Sequence, residues 1–465
     1  MPVADLGPEI ALIAGAIAAL LLAMVLPQRR QAWCLAPALA ALAVAALWAL
    51  AQVDEARLTF SGVWALDGVT LWARLMIVIA TAICLILAPR WFESDRRHGE
   101  FYTMTLFSAL GAIAMAAAAD LMQLVMAVLL SSITGYVLAA WHRDWALSVE
   151  AGMKYFLIGA LANALLAIGV ILVMGMAGTS DYAVLRQADI TSPLGLTGLA
   201  LIVTGLAFKL GALPGHAWVP DVAEGAPVPA AAFLTVVPKI GAALALYRLV
   251  QLFPETDMLR PLIAGISVLT MTLGNLAAFW QNDVRRLIGW SSVSQSGYAL
   301  MAIAVADLAA RALPSLIWFL AAYALANLTA FAVVAHLRGR TALPDYNGLA
   351  RTQPVMAAAL IVAFLSLVGI PPLIGFVGKL GLFIVTIDGG YAWLALAAVL
   401  NTVASLFYYL RVIAPMYFAR AGDDKPATLG PASGAAAVSS AAALIGLGLI
   451  SGLFLARSAG IVILP

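Results

Sequence analysis

Long apolar stretches separated by short polar connections run through the whole chain. Counting stretches of about 18 or more mostly apolar residues predicts about fourteen membrane-spanning helices. The predicted spans begin at Pro8, Trp33, Leu71, Tyr102, Leu121, Ala151, Leu194, Val228, Pro261, Val284, Ala312, Pro354, Tyr391 and Ala435. The polar connections are too short to hold a soluble domain. The pattern therefore predicts an all-α polytopic membrane protein with a single membrane domain, residues 1–465.

Two of the predicted spans are interrupted by glycine and proline. The first interruption lies at residues 211–215, shortly after Lys209, and the second at residues 369–375, shortly before Lys379. Proline removes a backbone N–H and clashes one turn back. Inside lipid, such a break is tolerated only where protein or water covers the freed groups. An ordinary proline kink is the alternative, but two breaks near rare lysines favour a transporter with inverted repeats.

Composition supports the membrane assignment. Hydrophobic residues make up 64% of the 465 residues and charged residues 10%, and the mean hydropathy is +1.02. A soluble domain is about 45–50% apolar and about 25% charged. We expect the lipid bilayer to surround the chain, and we expect no nucleic-acid partner. The net charge of +2 adds nothing to this assignment.

Basic residues are distributed unequally between the two sets of alternate connections. One set carries Arg29, Arg30, Arg90, Arg96, Arg97, Arg143, Arg285, Arg286, Arg338, Arg340, Arg351, Arg420 and Lys425. The other carries Arg57, Arg186, Arg260, Arg311 and Arg457. The positive-inside rule places the first set in the cytoplasm and both termini on the outer side of the membrane. Asp5 and no basic residue precede the first span, which predicts a retained helix and not a cleaved signal peptide.

Lysine, unlike arginine, is concentrated inside the apolar stretches. Four of the five lysines, Lys154, Lys209, Lys239 and Lys379, lie there. A charged side chain at the bilayer centre costs roughly 2.5–3.5 kcal/mol on insertion scales, and Lys239 lies about 16 Å from either end of its span at 1.5 Å per residue. Because desolvated lysine releases its proton more readily than arginine does, we predict a proton relay through Lys209, Lys239 and Lys379.

Other charged residues near the breaks carry weaker signals. Glu150 and Lys154 are four residues apart and share a helix face, so an interfacial ion pair and a relay element are equal alternatives. His216 follows the first break and is either a proton-passing modulator or a structural hydrogen-bonding residue. Asp221 and Glu224 are interpreted as solvated or helix-capping residues.

Redox chemistry is not expected in this chain. Cys34 and Cys84 lie in separate apolar stretches without metal-binding or disulfide spacing, so apolar packing is the interpretation. The sequence contains no glycine-rich nucleotide loop, no Cys/His cluster and no haem attachment motif. We predict no metal and no cofactor in this chain, and an energy source in a partner.

The run from Phe208 to Pro229 resembles the signature of the antiporter-like subunits of respiratory complex I, a family of proton-conducting membrane transporters, and among these subunit N of NADH-quinone oxidoreductase. Further similar segments lie at residues 150–156, 274–276, 285–288, 345–349, 369–379 and 408–412. The resemblance extends over most of the chain, from residue 8 to residue 417.

The resemblance implies the fold and the partners. It implies N-terminal helices in residues 1–100, two inverted five-helix bundles in 101–251 and 259–420, each with one broken helix, and a C-terminal helix in 435–465. It also implies the inner membrane of a bacterium as the location, with both termini then on the periplasmic side, and other membrane subunits of complex I as partners. NADH, flavin, Fe–S clusters and quinone are then expected in partner subunits, so that this chain meets quinone only indirectly.

The resemblance also implies residue roles. By position, Lys209 is similar to the broken-helix lysine, Lys239 to the central connecting lysine, Lys379 to the lysine of the second half and Lys154 to the lysine of the sixth span. Two positions depart from the pattern. Leu129 stands where the family usually has a glutamate that pairs with the broken-helix lysine, and Gln295 stands where subunit N often has histidine. Without the glutamate, we expect Lys209 to be neutralised more easily.

We therefore predict a non-redox, proton-translocating membrane subunit of an NADH-quinone oxidoreductase, that is, part of a translocase. One alternative is a subunit of a multi-subunit Na⁺/H⁺ antiporter or membrane hydrogenase. Another is a structural subunit whose channel has decayed, which the leucine at position 129 motivates.

Overall fold

The computed structural model of the chain describes residues 2–95, 98–253, 258–420, 428–452 and 461–464. Almost all of its regular structure is helical. The α-helices are α1 Gly7–Val25, α2 Leu35–Ala51, α3 Gly68–Trp91, α4 Gly99–Ala116, α5 Leu121–Ala139, α6 Ala146–Ala177, α7 Tyr182–Leu185, α8 Pro193–Leu210, α9 Trp218–Gly225, α10 Val228–Leu252, α11 Leu259–Phe279, α12 Val284–Ala304, α13 Ala312–His336, α14 Leu349–Thr352, α15 Pro354–Val368, α16 Ile374–Asp388, α17 Ala392–Phe418 and α18 Pro431–Leu449. Short 3-10 helices lie at Val3–Leu6, Gln28–Cys34 and Leu343–Tyr346.

The prediction of an all-α polytopic membrane protein is confirmed. In the part of the chain that the structure describes, 11 helices are long and apolar enough to cross a membrane. The helices α4 and α12 are not among them, although both are buried along most of their length. In α12 the cause is a run of polar residues between Ser291 and Tyr298.

Both predicted helix interruptions are present. The first separates α8 from α9, and the second separates α15 from α16. At each one the preceding helix ends in a glycine of left-handed conformation, Gly211 with φ +71° and Gly369 with φ +95°. Only glycine adopts this conformation without a steric penalty. Gly211 and Gly369, which belong to the glycine and proline interruptions read from the sequence, therefore end the first half of each interrupted span.

The centre of the molecule is formed by α10 and α12. The candidate membrane-spanning segment of α10 is 100% buried inside the protein, and α10 packs against α3, α4, α8, α12 and α13. Helix α12 packs against α9, α11, α13 and α16. These two central helices carry Lys239 and the polar run of residues 291–298.

A β-hairpin in the connection between α2 and α3 was not predicted. Its strands β1 Arg57–Thr59 and β2 Trp64–Leu66 pair antiparallel. The turn between them places Phe60, Ser61 and Gly62 at positive φ. Strands of three residues are too short to show the alternation that predicts a strand.

The connections meet at two opposite ends of the bundle. At the hairpin end, defined by β1 and β2, the backbone of Ala65 donates to Ala117, and the connections at Asp120 and Asp181 form a bridge. The opposite end carries α9, and we call it the α9 end. There Arg285, near the start of α12, donates to the carbonyl of Ala223 on α9, and Arg338 donates to the carbonyl of Trp91. Each end thus joins alternate connections of the chain. The basic residues Arg96, Arg97, Lys425 and Arg457 lie outside the described residues, as do residues 453–460 of the predicted C-terminal helix.

Candidate functional site

Lys239 lies near the middle of α10 and is 1% exposed. Its Nζ donates to the carbonyl of Ser292 at 2.9 Å and to the hydroxyls of Ser292 and Ser296 at 2.6 and 3.0 Å. An ammonium group has three N–H donors, so each one has an acceptor. All these acceptors are neutral, and all lie on α12.

A chain of hydroxyl groups continues from Ser292. Its hydroxyl lies 2.7 Å from the Tyr323 hydroxyl, which donates to the carbonyl of Thr235 at 2.6 Å. Tyr323 belongs to α13 and Thr235 to α10, one turn before Lys239. Hydroxyl groups both donate and accept, so this chain is able to reorient around either protonation state of the lysine.

Lys209 is the penultimate residue of α8 and is 0% exposed. Its Nζ donates to the Ser132 hydroxyl at 3.1 Å and to the Tyr155 hydroxyl at 3.4 Å. Within the described ranges no carboxylate forms an ion pair with Lys209. Leu129 lies one helical turn before Ser132 on α5, so the departure noticed in the sequence leaves Lys209 with hydroxyl partners only.

Lys379 lies on α16, after the second interruption, and is 3% exposed. Its Nζ donates to the carbonyl of Val368 at 3.2 Å and stands 4.0 Å from the centre of the Tyr298 ring. Val368 is the last residue of α15, where helix carbonyls lack partners within the helix and carry partial negative charge. The aromatic face adds a cation–π attraction. We call Lys209, Lys239 and Lys379 the buried lysines.

Gln295 extends α12 toward the second interruption. Its side-chain amide donates to the carbonyl of Leu367 at 3.1 Å, next to the carbonyl that binds Lys379. The polar run of α12 thus contacts both the Lys239 ammonium and the end of α15. Lys239 and Lys379 thus contact the polar run of α12 directly, at Ser292 and at the Tyr298 ring. Lys209 does so only through its neighbour Leu210, whose carbonyl accepts from Ser296.

Lys154 differs from the buried lysines because its side chain is 44% exposed. Its Nζ pairs with Glu150 at 2.7 Å and with Asp221 at 3.1 Å. The ion pair predicted from the four-residue spacing is therefore present. Arg286 pairs in turn with Asp221 at 2.6 Å and with Glu224 at 2.7 Å.

The interpretation of Asp221 and Glu224 as solvated or capping residues was wrong. Both lie on α9 and form ion pairs that tie this short helix to α6 and α12. The partners are distant in sequence, so no local spacing could reveal them. His216 lies in the turn between α8 and α9, half-buried, with its ring 5.8 Å from the ring of Trp290.

Two buried arginine–carboxylate pairs were also missed. Arg74 makes two hydrogen bonds to Glu9, at 2.7 and 2.8 Å, and Arg248 pairs with Asp67 at 2.7 Å. All four side chains are at most 4% exposed. An arginine within an apolar stretch, two turns or fewer from a helix end, is the sequence signal that could have found them.

No set of metal ligands occurs in the part of the chain that the structure describes, taking three or more His, Cys, Asp or Glu residues as the minimum. Cys34 and Cys84 are free and buried. Apolar packing accounts for their position.

Comparison with known proteins identifies relatives over the whole length. Residues 118–405 match the family described as NADH:quinone oxidoreductase/Mrp antiporter, transmembrane. The chain is 44% identical to NADH-quinone oxidoreductase subunit N 1 of Streptomyces griseus subsp. griseus, over 97% of each chain. It is 31% identical to a chain of respiratory complex I from Thermus thermophilus, with a TM-score of 0.85 over 97% of this chain and 98% of that one.

The fold is shared more widely than the sequence. A chain of the Mrp complex from Dietzia sp. DQ12-45-1b superposes with a TM-score of 0.85 at 22% identity, over 99% of this chain and 97% of that one. From the family match and the 44% identity, the chain belongs to the NADH:quinone oxidoreductase/Mrp antiporter transmembrane family.

Proposed function

We propose that the chain is a non-redox, proton-translocating membrane subunit of an NADH-quinone oxidoreductase of the complex I type. The observation that carries the proposal is the set of buried lysines, each hydrogen-bonded to neutral groups in the protein interior. Similarity to curated subunit N proteins supports the assignment to that complex. Other membrane subunits are then the partners, and NADH, flavin, Fe–S clusters and quinone belong to partner subunits.

Lys239 is the central relay residue. An opposite charge within about 4–6 Å would favour the charged lysine, whereas hydroxyl and carbonyl groups support either form. The Ser292 hydroxyl, at 2.6 Å, accepts the proton of Lys239 and gives its own proton to the Tyr323 hydroxyl, at 2.7 Å. Release of the Tyr323 proton then requires water, because the group that this hydroxyl binds, the carbonyl of Thr235, does not carry a proton onward. Deprotonated Lys239 then accepts a proton from the opposite side.

Lys209 and Lys379 exchange protons with the central lysine from the two helix interruptions. On the first side, the Ser296 hydroxyl contacts both Lys239 and the carbonyl of Leu210, next to Lys209. On the second side, Gln295 reaches the carbonyl that precedes the acceptor of Lys379. Glutamine does not titrate, so transfer there requires water.

Lys154, Glu150 and His216 act as modulators of the first interruption. Lys154 and Glu150 place their charges beside α9 through Asp221. A change in that ion pair alters the electrostatic potential at the interruption. His216 lies in the interruption itself, where an imidazole is able to exchange protons near neutral pH.

The topology we propose has about fourteen crossings and two inverted five-helix bundles, residues 101–251 and 259–420. Internal repetition supports it. A Cβ atom on Gly111 of α4 would lie 2.6 Å from the backbone nitrogen of Ser131 on α5, and one on Gly274 of α11 would lie 2.5 Å from that of Ser294 on α12. The two glycines are separated by the same number of residues as the two serines.

The same separation relates Asp120, which caps α5, to Asp283, which caps α12. Asp120 bridges to Asp181 at the hairpin end, whereas Asp283 bridges to Ala342 on the connection that follows α13. Equivalent caps at opposite ends support an inverted relation. With the excess of arginine at the α9 end, we propose that this end faces the cytoplasm and that both termini face the periplasm.

The test uses Lys239→Ala and Lys379→Ala in the assembled complex, with Lys425→Ala as the matched lysine control from a polar loop of the sequence. We expect the first two to lower proton translocation per electron, or the coupled turnover rate, by about tenfold or more, as for loss of an acid–base group. The control should behave as wild type. An unchanged ratio and rate in both buried-lysine variants would rule out the relay.

Two other functions fit particular observations. A subunit of a Na⁺/H⁺ antiporter or membrane hydrogenase agrees with Gln295, because glutamine at this position resembles the sodium–proton antiporter relatives. Transport in vesicles that follows sodium and not quinone reduction would establish it. A structural subunit with a decayed channel agrees with the absence of a carboxylate partner for Lys209 within the described ranges. Normal assembly with pumping insensitive to Lys154, Lys209, Lys239 and Lys379 would establish that role.

A further inference from the structure

Helix α12 contacts the ends of both interrupted helices through two adjacent side chains. The Ser296 hydroxyl donates to the carbonyl of Leu210, the last residue of α8, at 2.7 Å. The Gln295 amide donates to the carbonyl of Leu367, the last but one residue of α15, at 3.1 Å. Carbonyls in the last turn of a helix have no partner within that helix. Gln295 and Ser296, adjacent on α12, therefore donate hydrogen bonds to carbonyls at the ends of α15 and α8.

These contacts lie in the protein interior. Gln295 is 2% exposed and Ser296 is 3% exposed. A carbonyl without a partner at this depth is costly, because neither water nor lipid replaces the lost hydrogen bond. The two side chains thus fix where α8 and α15 end relative to α12.

The contact of Gln295 with the end of α15 has a counterpart in the first bundle. Ser132 and Gln295 are separated by the same number of residues as the capping aspartates Asp120 and Asp283. Ser132 binds the side chain of Lys209, the last but one residue of α8, and Gln295 binds the corresponding residue of α15. Each bundle therefore has a polar contact from this helix position to its own interruption.

The contact of Ser296 with the end of α8 has no counterpart of this kind in the first bundle. The residue of α5 that corresponds to Ser296 is Ile133, which is apolar and 60% exposed. Ser296 instead reaches across from the second bundle to the interruption of the first. The Ser296 hydroxyl therefore joins the two bundles through a hydrogen bond that does not follow from the internal repeat.

The Ser296 hydroxyl also forms a hydrogen bond with Lys239. It accepts from the Lys239 ammonium at 3.0 Å, and its one O–H donates to the carbonyl of Leu210 at 2.7 Å, with the carbonyl of Ser292 at 3.0 Å as the longer alternative. In a chain of hydrogen bonds, a charged donor strengthens the next bond along the chain. Loss of the proton from Lys239 therefore weakens the hydrogen bond from Ser296 to the end of α8. The adjacent residue, Gln295, holds the end of α15.

We propose that Gln295 and Ser296 are positioning residues that couple the two helix interruptions to each other through α12. The consequence for pumping rests on the proposed proton-relay function. The mechanical coupling itself rests only on the contacts of α12 with α8 and α15. Its strength is therefore measurable without a pumping assay.

The experiment is hydrogen–deuterium exchange on the assembled complex, read at residues 211–217 and 369–373. The variants are Ser296→Ala and Gln295→Leu, and the matched control is Ser294→Ala. The control removes a buried hydroxyl of α12 that has no hydrogen-bond partner among the residues that the structure describes. We expect each single variant to speed exchange at both interruptions, by about threefold to tenfold for a lost neutral hydrogen bond. The control should leave both unchanged, and Ser296→Thr should restore the wild-type rates.

Exchange that rises only at residues 211–217 in Ser296→Ala and only at 369–373 in Gln295→Leu would overturn the coupling. So would effects that add in the double variant, since coupled residues are non-additive. If Ser296→Ala does not assemble, the remote effect of Gln295→Leu at residues 211–217 decides alone. Coupled exchange together with normal pumping in Lys239→Ala would leave this inference standing and reject the relay.

Discussion

Buried arginines and buried lysines are held in opposite ways in this chain. Arg74 pairs with Glu9, and Arg248 pairs with Asp67, all in the interior. Across the described residues, no carboxylate forms an ion pair with any of the buried lysines. A permanent cation needs a counter-ion when it leaves water. A group that must release its proton is better served by neutral partners, since a counter-ion would hold the charge in place.

Breaking an arginine pair should have the largest effect. Asp67→Asn leaves Arg248 charged and uncompensated in the interior, which typically costs about 3–5 kcal/mol. We expect little of the variant chain to accumulate in membranes, and a lower melting temperature of the purified complex. Asp307→Asn is the control, because Asp307 is exposed and its carboxylate accepts a hydrogen bond from the neutral amide of Gln251. Equal loss in both variants would contradict the importance of the buried pair.

Removing a buried lysine should cost far less stability. Lys209→Met replaces a cation without a counter-ion by an apolar side chain of similar length, and such replacements are often neutral or stabilising. We expect the free energy of unfolding to change by less than about 1.5 kcal/mol, as for tolerated core exchanges, while the rate of coupled proton translocation falls. Arg248→Met gives the matched comparison, because it leaves Asp67 unpaired. A destabilisation as large as that of Arg248→Met would show that Lys209 is a structural cation.

Supplying the missing counter-ion should change function moderately. Leu129→Glu places a carboxylate on α5 one turn before Ser132, on the face that contacts Lys209. Because a counter-ion holds the charge of a lysine in place, we expect coupled proton translocation to fall by about twofold to threefold, within the tenfold that 1.4 kcal/mol represents. A gain would instead support the alternative of a partly decayed channel. Leu129→Gln is the control that cannot titrate. Equal rates in the two variants would show that a carboxylate at this position has no role.

The smallest effect is expected at the exposed pair. Lys154→Ala removes ion pairs to Glu150 and Asp221 from a side chain that is 44% exposed. Such pairs contribute about 0–1 kcal/mol and are screened by salt. We expect a slight loss of stability at low ionic strength and none at high ionic strength, measured by thermal unfolding of the complex. A loss of stability as large as that of Asp67→Asn would show that Lys154 is a structural cation, like Arg74 and Arg248.

The sequence predicted the features that depend on local chemistry. Clusters of glycine and proline end helices, whereas the single prolines Pro89, Pro238 and Pro415 lie inside helices. Both interruptions and the lysines beside them were therefore located correctly from the clusters. The depth of Lys239 also followed from counting residues along one helix. The hydropathy pattern was sufficient for the all-α membrane class.

Features that join distant parts of the chain were not predictable. Glu9 and Arg74, like Asp67 and Arg248, are brought together only by packing of separate helices. Asp221 was assigned to solvent because its partners on α6 and α12 are far away in sequence. The serines of α12 are too common a residue type to reveal which of them bind Lys239. The hairpin was missed because three-residue strands carry no readable periodicity.

The most direct test of the account replaces Lys239 by arginine in the assembled complex and measures protons translocated per electron together with the coupled rate. Arginine keeps the positive charge and donates hydrogen bonds, but it does not release its proton. We predict assembled complex whose coupled proton translocation falls by about tenfold or more. Wild-type ratio and rate in the arginine variant would contradict the claim that this buried cation works by giving up its proton.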